Sequence, residues 1–125
     1  MRVLISLLTL PALVTFVEQA AQACPNVTRE SKWRNSDIVV KGEANCRFSV
    51  NSCSLRISQV MKGHRLLKRQ RAISMKVRFN DADNFYCGVE WALDEEGRYQ
   101  GKFYLDADST GAFSASHYAD VKKKD

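Results

Sequence analysis

Four cysteines and two histidines are the residues of this 125-residue chain best suited to covalent or metal chemistry. No Cys-x-x-Cys occurs, and neither His64 nor His117 stands at a ligand spacing from a cysteine, which argues against a zinc site of the protein's own. Neither histidine lies in a recognisable nucleophile motif, and no glycine-rich phosphate loop is present. We therefore expect a protein that is not an enzyme and that uses no cofactor.

Residues 1–23 have the features of a secretory signal peptide. Met1-Arg2 is a basic start, and an apolar stretch of about 15 residues follows, too short for a bilayer span of roughly 20. Ala21-Gln22-Ala23 then provides the small-x-small pattern that signal peptidase requires. The alternative is a retained membrane anchor. The sequence predicts a secreted, extracellular protein whose single mature domain, residues 24–125, has no membrane span.

Export would place all four cysteines in an oxidising compartment, where an even number of cysteines predicts two disulfides. Three pairings are possible. Cys46 and Cys53 are close in sequence and flank a candidate hairpin tip, which favours a bridge between them and leaves Cys24 to pair with Cys87. The longer bridge would stabilise the fold by roughly 4 kcal/mol in the chain-entropy model.

The hydrophobic pattern is that of a small β protein. Residues 53–58 and 73–79 alternate between apolar and polar side chains, and Val60-Met61 shifts the alternation by one step, as a β-bulge would. Other strands are expected from Ile38 to a stop at Gly42, and over residues 85–89, 99–105 and 112–118. Residues 24–35 are the best helix candidate. The pattern predicts a mainly all-β fold, a small Greek-key barrel or sandwich with a short terminal helix.

Charge is unevenly distributed along the chain. The net charge of +5 favours acidic partners. Residues 44–80 contain no acid, whereas residues 81–108 are mainly acidic. The densest basic run, residues 62–71, provides the heparin-binding candidates Lys62, Arg65, Lys68, Arg69 and Arg71. The alternative is a solvated loop between strands. Because export is expected, heparan sulfate is a more plausible partner than nucleic acid.

The chain resembles the netrin-like module. The resembling residues are Cys24 at the cleavage site, residues 35–42, 55–63 and 73–79, and the pair Cys87-Gly88, in that order. This module is the inhibitory domain of the tissue inhibitors of metalloproteinases, and the agrin N-terminal domain is a relative. The resemblance implies an OB-fold-like barrel, and it implies the same Cys24–Cys87 bridge.

The resemblance also implies two functions. In the inhibitors, the free amine and the carbonyl of the first cysteine chelate the zinc of the target protease, so Cys24 would be the zinc-chelating residue here. An α-amine has a pKa near 8, and catalytic zinc keeps one coordination position open. The inhibitors begin Cys-x-Cys, whereas this chain continues with Pro25 and a glycosylation sequon at Asn26. The agrin domain also starts Cys-Pro, and it binds laminin.

The sequence thus leads to two main hypotheses. One is a secreted inhibitor of extracellular zinc metalloproteinases. The other is a non-inhibitory adhesion module that binds a matrix protein or a glycosaminoglycan. Residues 59–63 also nearly match the Gln-x-Val-x-Gly loop of cystatins, with Met61 at the Val position, although cystatins have their four cysteines late in the chain. An unrelated secreted β domain is the last alternative.

Overall fold

The computed structural model describes residues 27–80 and 90–124, which form a closed five-stranded barrel with two short helices. The elements in chain order are α1 (Arg29–Arg34), β1 (Ile38–Arg47), a 3-10 turn (Phe48–Val50), β2 (Ser52–Lys62), α2 (His64–Leu67), β3 (Ala72–Lys76), β4 (Arg78–Phe79), β5 (Ala92–Leu93), β6 (Gly97–Ala107), β7 (Phe113–Ala115) and β8 (Asp120–Lys124). In these two ranges, each helix is too short or too polar to cross a membrane.

The barrel closes because β6 pairs with β1 as well as with β7. The strand order is β1-β2-β3-β7-β6, and β6 returns to β1. The β3–β7 pairing is parallel, and the other four pairings around the barrel are antiparallel. β7 pairs with the end of β6, and β8 pairs with the earlier part of β6, residues 98–102. β4 and β5 form a separate two-stranded sheet. The predicted fold class, a mainly β OB-fold-like barrel, is confirmed.

The barrel interior is filled by the apolar half of each alternating strand. Leu55 and Ile57 of β2 and Met75 of β3 are buried, while their sequence neighbours are exposed, and Phe103 of β6 is buried as well. Trp91 lies edge-on to Phe103, with ring centroids 5.5 Å apart. The period-two pattern seen in the sequence therefore places the core correctly.

Two details of β1 and β2 bear on the sequence predictions. The predicted bulge is present, because Val39 pairs with Lys62 and Val40 with Val60, so that Met61 has no partner in β1. The prediction that Gly42 ends the first strand is wrong, since β1 continues to Arg47. Gly42 serves close packing instead: a Cβ atom there would overlap the carbonyl oxygen of Arg56 in β2.

The Cys46–Cys53 disulfide is present and joins residues that lie directly opposite each other near the tip of the β1–β2 hairpin. This pairing was predicted and is confirmed. Cys24 and Cys87 lie outside the described residues, so the second predicted disulfide stays a prediction.

Helix α1 is attached to the barrel by a buried lysine. The Lys32 ammonium donates to the carbonyl oxygen of Tyr118 at 2.9 Å and to the Asp120 carboxylate at 3.0 Å. The hydroxyl of Tyr104 donates to the other oxygen of Asp120 at 2.8 Å. Burial and this hydrogen bond raise the pKa of Tyr104 to about 12. The contacts hold α1 against β6 and the start of β8, and they thereby fix the position of its exposed residues.

Candidate anion-binding surface

The basic loop, defined as residues 62–71, joins β2 to β3 and contains all five predicted heparin-binding residues. Gly63 has a φ of +87°, a left-handed conformation in which a Cβ atom would lie 2.6 Å from the carbonyl oxygen of Asp37. α2 follows as one short helical segment. Lys68 and Arg69 then also take left-handed backbone conformations, with φ of 52° and 66°. The chain therefore turns sharply on both sides of α2.

One apolar side chain fixes this loop to the barrel. Leu67 is completely buried, although its neighbours Leu66 and Lys68 are exposed. Gln70 donates from both its backbone N–H and its side-chain amide to the carbonyl oxygen of Leu67, each at 2.9 Å. The carbonyl of Arg71 accepts from the backbone N–H of Ile57 at 2.7 Å. The loop is therefore an anchored structure, and its cations have defined positions.

The cations of the basic loop have no acidic partners in the described part of the chain. Arg65, Lys68, Arg69 and Arg71 are all exposed, and none of them forms a salt bridge with a described carboxylate. Some cations elsewhere do have an acidic partner, as Lys124 has Glu43 at 2.7 Å. Four unpaired positive charges close together in sequence create a local positive potential, screened over about 10 Å at 0.1 M salt. Such a surface attracts anions.

Lys62 is held differently from the other four. Its ammonium donates to the carbonyl oxygen of Trp33 at 2.6 Å and lies 5.9 Å from the centre of the Trp33 ring. Trp33 is 38% exposed, so this contact places a large aromatic side chain beside the basic loop. Sequence reasoning missed Trp33 because its neighbour is remote in the chain: the contact joins α1 to the end of β2.

A hollow of about 270 Å³ lies at the base of the basic loop. Apolar Val60 and Leu67 contribute to its lining, together with the polar residues His64, Arg69, Gln70 and Arg71. Two guanidinium groups beside one hollow can bind an oxyanion with directed hydrogen bonds, because the planar fork of arginine matches sulfate and carboxylate oxygens. The structure thus brings Arg69 and Arg71 to one site, with His64 as a third polar neighbour.

His117, the second histidine, belongs to a buried polar cluster. The Oγ of Ser36 lies 2.7 Å from the Oγ of Ser116 and 3.1 Å from Nδ1 of His117. The pKa of His117 is lowered, mainly by burial; Asp106 opposes this shift, and Lys32 adds to it. A serine beside an imidazole is a nucleophile–base contact in form. However, Ser36 is 2% exposed and His117 8%, so a substrate has no route to the hydroxyl. The cluster ties the start of β1 to the segment between β7 and β8.

Several predicted site residues lie outside the described residues. They are Cys24, Cys87 and the glycosylation site Asn26, and the signal peptide lies there too. Thr28, the last residue of the sequon, is described, and its Oγ1 caps α1 by accepting from the backbone N–H of Ser31 at 3.1 Å. A substitution of Thr28 would therefore weaken α1, and Asn26→Gln is the cleaner way to remove the sequon.

Within residues 27–80 and 90–124, no group of three or more His, Cys, Asp or Glu side chains is arranged to hold a metal ion. Comparison of the chain with protein families, with curated proteins and with solved structures finds no match.

Proposed function

We propose that this protein is a non-enzymatic extracellular binding module that holds sulfated polysaccharide on its basic loop. The observation that carries the proposal is the state of Arg65, Lys68, Arg69 and Arg71, which are exposed and form no salt bridge in the described ranges. Because buried Leu67 anchors the loop, these cations are presented on a fixed backbone. Preorganisation of this kind lowers the entropic cost of binding.

The chemistry of the surface favours a polyanion over a single small anion. The cations are spread over a loop of ten residues instead of converging in one enclosed pocket, and a chain with repeated anionic groups can contact several of them together. A linked ligand gains affinity from each further contact without paying again for its translational freedom. Because the cations are exposed, the attraction should weaken strongly as salt rises.

The test is heparin affinity chromatography with two variants of equal charge. The first variant replaces Arg65, Lys68, Arg69 and Arg71 by glutamine. The control replaces four exposed cations outside the loop, Lys41, Arg47, Lys76 and Lys122, by glutamine. Each variant has a formal charge of +5 − 4 = +1. We expect the loop variant to elute at much lower salt than the control, because local arrangement, and not net charge, determines binding.

Lys62 is left out of the loop variant because its ammonium holds the carbonyl of Trp33, so that its loss would disturb α1 as well as remove a charge. Equal elution of the loop variant and the control would contradict the proposal, since only net charge would then matter. Failure of the native protein to bind heparin at low salt would contradict it directly.

A further inference from the structure

The hollow at the base of the basic loop contains a side chain that titrates near neutral pH. His64, the first residue of α2, is exposed and lines the hollow together with Arg69 and Arg71. Imidazole groups gain and lose a proton between about pH 5 and pH 8, whereas guanidinium groups stay charged throughout this range. Among the described lining residues, His64 is therefore the one whose charge follows the pH.

The imidazole of His64 has both ring nitrogens open to a ligand. Within residues 27–80 and 90–124, its side chain forms no hydrogen bond or ion pair. Gln70, which lines the same hollow, instead directs its side-chain amide to the carbonyl oxygen of Leu67. A neutral imidazole has one N–H donor, and a protonated imidazole has two. Protonation of His64 therefore adds to the hollow both a positive charge and a donor.

The charged groups that share the hollow with His64 are both cations. They are Arg69 and Arg71, while the residue that β2 contributes, Val60, is apolar. The backbone of Asp37 packs closely against Gly63, but the Asp37 carboxylate accepts from the backbone N–H of Ala107 at 3.1 Å and does not line the hollow. A bound oxyanion would thus bring the negative charge that these residues lack. An opposite charge nearby favours the protonated form of an imidazole.

The donors around the hollow suit a sulfate group better than a carboxylate. Each guanidinium fork of Arg69 and Arg71 donates parallel N–H bonds to an oxyanion, and a protonated His64 is a third cationic donor. A sulfate ester presents three terminal oxygens, one for each of these side chains, whereas a carboxylate presents two. Sulfate esters, and the carboxylates of sugars, stay ionised above about pH 5.5. A change in affinity between pH 5.5 and 7.5 therefore originates in the protein.

We infer that the hollow binds one sulfate group of the polysaccharide between His64, Arg69 and Arg71, and that His64 takes up a proton when this sulfate binds. The inference rests on the proposed function, and it adds a place for one sulfate and a dependence on pH. The proton comes from the solvent and returns to it when the polysaccharide leaves, and no covalent bond between the two molecules forms. The protein therefore holds its ligand more tightly at mildly acidic pH than at neutral pH.

The test measures the affinity for a heparin hexasaccharide at pH 7.5 and at pH 5.5, at one ionic strength and well below the Tm of each variant. We expect the native protein to bind about fivefold more tightly at pH 5.5, because a neighbouring anion favours the protonated imidazole by a factor on the order of ten. His64→Gln should bind equally at both pH values. His64→Lys should also lose the dependence on pH, but it should bind more tightly than the native protein at pH 7.5, because its charge is permanent.

Two controls separate the hollow from the rest of the protein. His117 is the other of the two histidines in the chain, and His117→Asn should keep the dependence on pH. His64→Gln with Ser49→His moves the titrating charge to an exposed position at the other end of β2, roughly 30 Å away. This double variant changes its net charge with pH as the native protein does, but should not regain the effect.

Proton uptake provides a second and independent measurement. Calorimetric titration near pH 6.5, in two buffers of different ionisation enthalpy, gives the number of protons taken up on binding. The native protein should take up a fraction of one proton with the hexasaccharide, and His64→Gln should take up none. A purely structural role of His64 would not produce this difference.

The outcomes separate the inference from the proposed function. If the native protein does not bind the hexasaccharide at either pH, both fail together. If it binds equally at both pH values, or if His64→Gln keeps the full effect, only the inference is overturned. Recovery of the effect by Ser49→His would also overturn it, since the proton would then act through net charge and not inside the hollow.

Discussion

Replacing Leu67 by alanine tests whether the basic loop works as an anchored structure or simply as a cluster of charges. Leu67 is fully buried, and truncation of a buried leucine to alanine costs about 2–5 kcal/mol, the transfer term plus a cavity term. The side chain lines the hollow of about 270 Å³, so water can reach part of the new space and the cost should be near 3 kcal/mol. For a domain of this size, that loss lowers Tm by about 12–24 °C.

The functional consequence is measured on the folded variant, well below its Tm. We expect Leu67→Ala to elute from heparin at lower salt than the native protein, although no charge has been changed, because the cations lose their fixed positions and binding must order them. Trp33 provides a second readout. It is the exposed tryptophan beside the loop, whereas Trp91 is buried, so a fluorescence change on heparin binding reports mainly on Trp33.

The matched control is Leu105→Ala. Leu105 is also fully buried, but it lies in β6 opposite Ile38 and Ala115, and it does not line the hollow at the base of the basic loop. This variant should lose as much stability as Leu67→Ala or more, yet bind heparin normally while folded. The reasoning is refuted if Leu67→Ala binds heparin as the native protein does, since anchoring would then be irrelevant, or if both variants lose binding equally, since the loss would then reflect general destabilisation.

Three further predictions concern stability and the metalloproteinase-inhibitor hypothesis. Burial lowers the pKa of His117 below its usual 6.5, so the folded state binds fewer protons than the unfolded state, and the urea midpoint should fall as pH drops below about 6.5; His117→Asn should flatten this dependence. Burial raises the pKa of Asp120, but hydrogen bonds from Tyr104 and Lys32 and the neighbouring charges lower it overall. Asp120→Asn should lower the free energy of unfolding by about 2–3 kcal/mol in a denaturant titration, because it leaves the Lys32 ammonium buried without its charge partner. Glu95→Gln, which removes one partner of an exposed ion pair, should change that free energy by no more than about 0.5 kcal/mol. The metalloproteinase hypothesis predicts inhibition by the native secreted protein and its loss when one alanine precedes Cys24, because the amine moves by up to about 3.6 Å; inhibition that survives the extension would exclude chelation by this amine.

Much of the barrel was predictable because its strands obey simple alternation. The apolar positions of β2 and β3 point inward as their period of two predicts, and the step at Val60-Met61 is a bulge for the same reason: an extra residue reverses the faces. The Cys46–Cys53 bridge followed from local spacing, since seven residues suffice for a tight hairpin. These features are local, so a single stretch of chain contains the information.

β8 and the full length of β1 were missed because their cause is not local. Residues 122–124 are lysines, a residue type that is uncommon in strands, yet β8 forms because β6 offers a free edge where β7 ends. Likewise, the break expected at Gly42 does not occur, since β2 and β6 pair with β1 on both sides and hold it extended. Pairing with distant strands outweighed the local propensity in both places.

The same division applies to the candidate site. The basic character of residues 62–71 is a property of the sequence, because charge depends on residue type alone, and the fold class follows from alternation. The sequence did not show that Leu67 anchors the loop, that Lys62 contacts Trp33, or that Arg69 and Arg71 lie beside one hollow. Each depends on residues far apart in the chain, which come together only when the register of four strands and the packing of two helices are set.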